Sequence, residues 1–99
     1  MPRRIYHIAP AEDWERQAGS GEYRHPSLDS EGFIHCSEEQ QVERTLKKFF
    51  GGRNGLVLLT IETGSLAPEL RYEEGEPGVL YPHIYGVLNV DAVSEVKTL

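Results

Sequence analysis

The run Leu56-Val57-Leu58-Leu59-Thr60-Ile61 constrains the fold more than any other stretch. It is almost unbroken in apolar character, and it reads as a strand buried on both faces. Such a strand belongs in the middle of a sheet, so flanking strands and a covering layer must come from the rest of the chain. Arg3–Ala9 supplies one flank. Its residues alternate, with Ile5 and His7 on one face and Tyr6 and Ile8 on the other. Leu70–Glu73, Val79–Leu88 and Ser94–Leu99 read as further strands, the last with Val96 inward. Pro82 has no N–H to give to a ladder and predicts an edge or a bulge. Glu74–Gly78 reads as an acidic loop.

Helices cover the sheet. Pro10 suits a first helical turn, Glu12 and Asp13 suit the positive end of the dipole, and Gly19 and Gly21 stop the chain. A second helix is predicted over Glu38–Phe50, with Ser37 as its cap and Gln40 completing a capping box. Val42, Leu46, Phe49 and Phe50 fall at helical spacing and predict a core-facing stripe. Between the helices, Glu22–Glu31 reads as a loop long enough to wall a site. Helices and strands alternate early and strands dominate later. The expectation is one α+β domain over residues 1–99, with five or six strands and two helices.

Composition narrows the partners. The formal net charge is −6 and the ten Lys and Arg are scattered, which disfavours nucleic acid. The single cysteine, Cys36, suits the reducing cytoplasm. No apolar run approaches a membrane span and no signal-peptide pattern opens the chain, so no membrane partner is expected.

Chemistry concentrates around Gly32-Phe33-Ile34-His35-Cys36-Ser37, a strand running into a helix start, where free N–H groups favour anions. His7 shares a strand face with Ile5, His35 with Phe33, and His83 with Tyr81 and Tyr85. Three strands each place one imidazole among apolar neighbours, as a pocket wall does. Their convergence is the functional expectation; three locally bonded histidines are the alternative. Three imidazoles also make a metal set, but no close His-x-His spacing supports it, and no metal is expected. Ser37 caps a helix or offers a hydroxyl to a ribose or phosphate. Cys36 faces away from His35 and packs as a small hydrophobe. Glu31, Glu73 and Glu74 are the carboxylates nearest this pocket, although Glu73-Glu74-Gly75-Glu76 also reads as a solvated run. Tyr6, Tyr81 and Tyr85 can stack a planar ring.

The segments Ile5-Tyr6-His7-Ile8, Glu31-Gly32-Phe33-Ile34-His35-Cys36-Ser37, Arg71-Tyr72-Glu73 and Tyr81-Pro82-His83-Ile84-Tyr85-Gly86, with Trp14, Tyr23, Ser27-Leu28 and Gln41, resemble an uncharacterised family of small, mostly bacterial domains of unknown function. That resemblance implies the split, mainly antiparallel fold of the ADP-ribosyltransferases, with a nucleotide pocket between small sheets. It places His7 at the position that holds a ribose of NAD. His35 and Ser37 are similar to the His-Leu-Ser element of RNA 2′-phosphotransferases. His83 stands where a late strand carries a catalytic glutamate, a departure that leaves Glu73 as the carboxylate able to substitute. The resulting expectation is an enzyme acting on NAD or a related nucleotide or phosphorylated ligand. His35, His83 and Glu73 are its catalytic candidates; His7, Ser37, Tyr81 and Tyr85 would hold the cofactor. The alternatives are an inactive module of the same fold that binds a small ligand or a protein, and a three-histidine metal site.

Overall fold

A computed structural model describes residues 3–99. The chain runs β1 (Arg4–Pro10), α1 (Ala11–Ala18), β2 (Glu22–Tyr23), α2 (Ser27–Ser30) and β3 (Ile34–His35), then a 3-10 turn and α3 (Val42–Phe50). It continues through β4 (Leu56–Glu62), β5 (Glu69–Glu76), β6 (Val79–Tyr85), β7 (Leu88–Asn89) and β8 (Val93–Thr98). Two three-stranded sheets, β1-β4-β8 and β3-β6-β5, and the two-stranded β2-β7 are antiparallel throughout. The class is α+β, as the order of elements implies. The apolar run is indeed the middle strand of its sheet. Its Leu59 lies opposite His7 and its Ile61 opposite Ile5. The core gathers Ile5, Leu59 and Ile61 from this sheet, Ile34 and Ile84 from the second, and Trp14, Tyr23 and Leu88.

Pro82 sits in the central strand of the second sheet, not at an edge or bulge. The carbonyl of Pro82 accepts from Cys36 N–H at 3.0 Å. In an antiparallel pair a residue's N–H and C=O point the same way, so the missing donor also faces β3. The β5 side loses nothing. On the β3 side the reciprocal bond cannot form, and the ladder stops there. The chain then crosses to the first sheet, where Ser37 exchanges both backbone bonds with Tyr6, at 2.7 and 2.8 Å. Residues 34–37 therefore stitch the two sheets together.

This stitch also corrects the second helix. Ser37 is held extended by Tyr6, so it does not cap. A 3-10 turn over Glu39–Gln41 intervenes, with the Gln41 side-chain oxygen accepting from Glu38 N–H at 2.8 Å, and α3 starts at Val42. The apolar stripe of α3 does not enter the core: no residue of the helix is fully buried, and Phe49 is 65% exposed. Val96 is likewise exposed, because β8 is an outer strand of its sheet. The predicted loop over residues 22–31 contains β2 and α2, pinned by the buried Tyr23. Most of the acidic stretch 74–78 is strand, turning into β6 at Pro77-Gly78. Among the described residues no helix is long and apolar enough to cross a membrane.

Candidate functional site

All four histidines of the chain line one cleft of about 440 Å³. One wall carries His25, Glu31, His35 and His83; Thr45, Phe49 and Phe50 of α3, with Tyr81 and Glu76, supply others. His25 is the member that strand periodicity could not find, because it lies between β2 and α2. The signal available was the loop's length, together with His25-Pro26-Ser27, where Ser27 N–H turns back onto the His25 ring.

Hydrogen bonds define the tautomers of His7, His35 and His83. His7 Nδ1–H donates to the His35 carbonyl at 2.6 Å, which leaves Nε2 to accept from the Tyr23 hydroxyl at 3.3 Å. Burial, reinforced by His25 nearby, pushes the His7 pKa from 6.5 down to about 3. With both nitrogens engaged, neutral His7 is scaffold at the cleft floor. His25 packs edge-on against it at 5.1 Å between ring centroids. Its Nδ1 lies 3.1 Å from Ser27 N and 2.9 Å from the Ser27 hydroxyl, which itself donates to the Phe33 carbonyl at 2.7 Å. Burial, then the nearby His35, lowers its pKa.

The other two histidines are each tied to a carboxylate. His35 Nε2–H donates to Glu31 at 2.8 Å, and His83 Nδ1–H donates to Glu73 at 2.8 Å. The Tyr85 hydroxyl donates to the same Glu73 oxygen, and that bond, followed by the one from His83, holds the carboxyl below the usual range. His83 stacks on Phe33 at 4.1 Å and is buried. Among the described residues no fully buried side-chain nitrogen or oxygen lacks a partner. His83 lines the cleft, and its Nε2 has no protein partner among the described residues, so it is not fully buried. His35 and His83 face each other across a strand pair whose backbones do not exchange bonds, the closer kind of pair, and their ring centroids lie 5.5 Å apart.

Tyr81 donates to Glu76 at 2.6 Å, which raises the pKa of the phenol. Gly75 is required beneath it, since a Cβ there would sit 2.6 Å from the ring.

Several expected site residues lie elsewhere. Ser37 is buried with its hydroxyl 3.1 Å from that of Thr45, and it does not line the cleft. Its commitment to Tyr6 turns it away. Tyr85 is also outside the lining, its ring under the Arg71 guanidinium at 4.4 Å. Glu73 reaches the cleft only through His83. Among the described residues no three His, Cys, Asp or Glu side chains are grouped to hold a metal ion; His7 has no nitrogen left to give. Cys36 is buried as expected, which raises its thiol pKa. Glu76, read as part of a solvated run, is a cleft residue.

A model of the family described as protein of unknown function (DUF952) matches residues 8–96. The chain belongs to this family. Two solved structures of CC0527 from Caulobacter crescentus share the DUF952 chain's fold. The crystal structure is 32% identical with a TM-score of 0.85, covering 94% of this chain and 82% of that one. The solution structure is 32% identical with a TM-score of 0.83, covering 97% and 84%. No curated protein matches the chain. DUF952 brings no activity with its description, so the chemistry rests on the cleft.

Proposed function

We propose that the four-histidine cleft is the active site of an enzyme acting on NAD or a related nucleotide, with His35 and His83 as the proton-transfer groups. One observation carries this reading: two imidazole–carboxylate pairs, His35–Glu31 and His83–Glu73, meet at 5.5 Å between rings in one cleft. Each carboxylate fixes its ring's tautomer and stabilises the imidazolium formed when the free nitrogen takes a proton. His83 Nε2 accepts a proton from the attacking water or acceptor hydroxyl; nicotinamide leaves NAD as a neutral base and needs none, so His35 serves as proton donor only towards a related nucleotide whose leaving group must take one up. The aromatic wall of Phe49, Phe50 and Tyr81 suits a planar ring.

The finer reading, an ADP-ribosyltransferase-like fold and glycosidic transfer, is supported by the two small antiparallel sheets and by His7 on the first strand at the cleft floor. In that chemistry Glu73 is a positioning residue for His83, and imidazoles stand where a carboxylate would steady the oxocarbenium-like centre.

The test is an amide-shift NMR titration with NAD, ADP-ribose and nicotinamide on wild type and His35→Ala, with chromatographic detection of released nicotinamide. Saturable shifts at His7, His35 and His83, lost in the variant, together with turnover, are expected. Absence of shifts at millimolar ligand in a folded protein refutes the nucleotide reading. Saturable binding without turnover selects the second reading, a silent ligand-binding module. That reading is favoured by one observation, the use of His7 and Phe33 as packing.

A further inference from the structure

The cleft is poor ground for an anion. Among the described residues no Lys or Arg lines it, while Glu31 and Glu76 do. Burial pushes the His7 pKa down to about 3 and lowers that of His25, so neither ring favours the charged form. A nucleotide's phosphates would find carboxylates there and no fixed positive charge to meet them. The cations stand immediately over the wall. Glu76 lines the cleft with one carboxylate oxygen bound to the Tyr81 hydroxyl at 2.6 Å. Its other oxygen accepts from Arg44 at 2.9 Å and from Lys48 at 3.0 Å. Arg44 and Lys48 are one turn apart on α3. With Lys47, Gln40 and Glu43 they line an adjoining groove of about 540 Å³. Two depressions thus share the Glu76 ion-pair network as their divide, one apolar and imidazole-lined, the other cationic.

We infer that the ligand is bipartite: a planar base enters the cleft while its phosphate or pyrophosphate lies outside, across Arg44, Lys47 and Lys48. This deepens the nucleotide reading and rests on it for the ring half alone. The cations are not exhausted by their present partners. Arg44 spends one N–H on Glu76 and keeps the rest of its fork; Lys48 spends one of its three donors. Lys47 meets only Glu43, at 3.2 Å on an exposed helix face. A guanidinium fork beside two ammonium groups is a chemistry suited to phosphate oxygens. Glu76 holds Arg44 and Lys48 in place when no anion is bound and competes with the anion when one is. The chain carries a net charge of −6, so a groove with three cations stands out against its field.

The experiment separates the halves with three probes: inorganic pyrophosphate, adenosine and ADP-ribose, each titrated by amide-shift NMR. Wild type should show saturable pyrophosphate shifts over residues 44–48, weakening as salt rises. Adenosine should shift the histidines together with Thr45, Phe49 and Phe50, which line the cleft, and leave Arg44, Lys47 and Lys48 unmoved. ADP-ribose should bind more tightly than adenosine, and Lys47→Glu or Lys48→Ala should weaken it by about three- to tenfold while sparing adenosine. Glu76→Gln should act in the opposite direction and tighten pyrophosphate. Both lysines are on the surface, so neither variant threatens the fold. The inference is overturned if pyrophosphate causes no saturable shift at residues 44–48, or if Lys47→Glu leaves ADP-ribose affinity unchanged. If pyrophosphate binds there while neither nucleoside nor nucleotide moves the histidines, the anion groove stands and the nucleotide reading of the cleft falls.

Discussion

His7 allows a prediction in which the sign changes with pH. Its ring is 3% exposed, donates to the His35 carbonyl and accepts from Tyr23. Its pKa drops from 6.5 to about 3 on folding. The folded protein therefore refuses a proton that the unfolded chain accepts. The stability this represents is fully present above pH 6.5 and is lost as pH falls towards 3. Between pH 7 and pH 4.5 the linkage amounts to about 2.5 kcal/mol. His7→Asn keeps a donor near Nδ1, loses the acceptor for Tyr23 and has nothing to titrate. At pH 7 the variant should be less stable by about 1–3 kcal/mol, the cost of a buried hydroxyl left short of a partner. At pH 4.5 that gap should have closed by about 2.5 kcal/mol, so the two proteins approach or cross. Urea unfolding followed by circular dichroism at half-unit pH steps gives both curves. The carboxylates and His25 titrate in both proteins and cancel in the difference. A gap that stays constant from pH 7 to 4.5 would refute the neutral, doubly bonded His7.

Other substitutions separate packing from chemistry. Gly75→Ala puts a methyl against the Tyr81 ring and should cost about 1–3 kcal/mol in thermal or urea unfolding, with Tyr81 displaced from Glu76. Phe49→Ser removes a side chain that is 65% exposed, so stability should change by less than about 0.5 kcal/mol while cleft ligands bind more weakly. A large loss of stability would mean that α3 packs on the core after all. Tyr85→Phe removes the chief influence lowering Glu73, so the carboxyl should titrate at higher pH in a carbon-detected NMR titration, with His83 kept in its tautomer. Ile84→Ala, at the fully buried centre of β6, should cost about 2–5 kcal/mol.

Local pattern carried the sequence reading where one strand decides its own faces. The apolar run announced the middle strand, and alternation put His7, His35 and His83 on the faces they occupy. It failed where a distant partner decided the outcome. Ser37 has the chemistry of a cap, but Tyr6 claims its backbone first. Phe49 has the spacing of a core residue, but α3 lies over the cleft and its stripe meets open space. Pro82 looked like an edge marker because the ladder it spares, on the β5 side, cannot be told from the one it ends. His25 was invisible to periodicity because a bend, and not a strand, aims its ring. The carboxylate partners Glu31 and Glu73 were nameable as nearby, yet their assignment to particular imidazoles depends on pairings that only the assembled sheets define.

The crossover at Cys36-Ser37, opposite Pro82, also bears on how the protein folds. Residues 34–37 belong to one sheet at their start and to the other at their end, so the sheet that carries His35, His83 and Glu73 is tied here to the one that carries His7. His35 and His83 meet within one sheet, but His7 joins them only when both sheets have registered on this four-residue seam, an event fed by contacts distant along the chain. Amide exchange at Cys36 and Ser37 should therefore proceed only through global unfolding, and the protein's ligand-binding competence should appear in a single step with its last increment of protection.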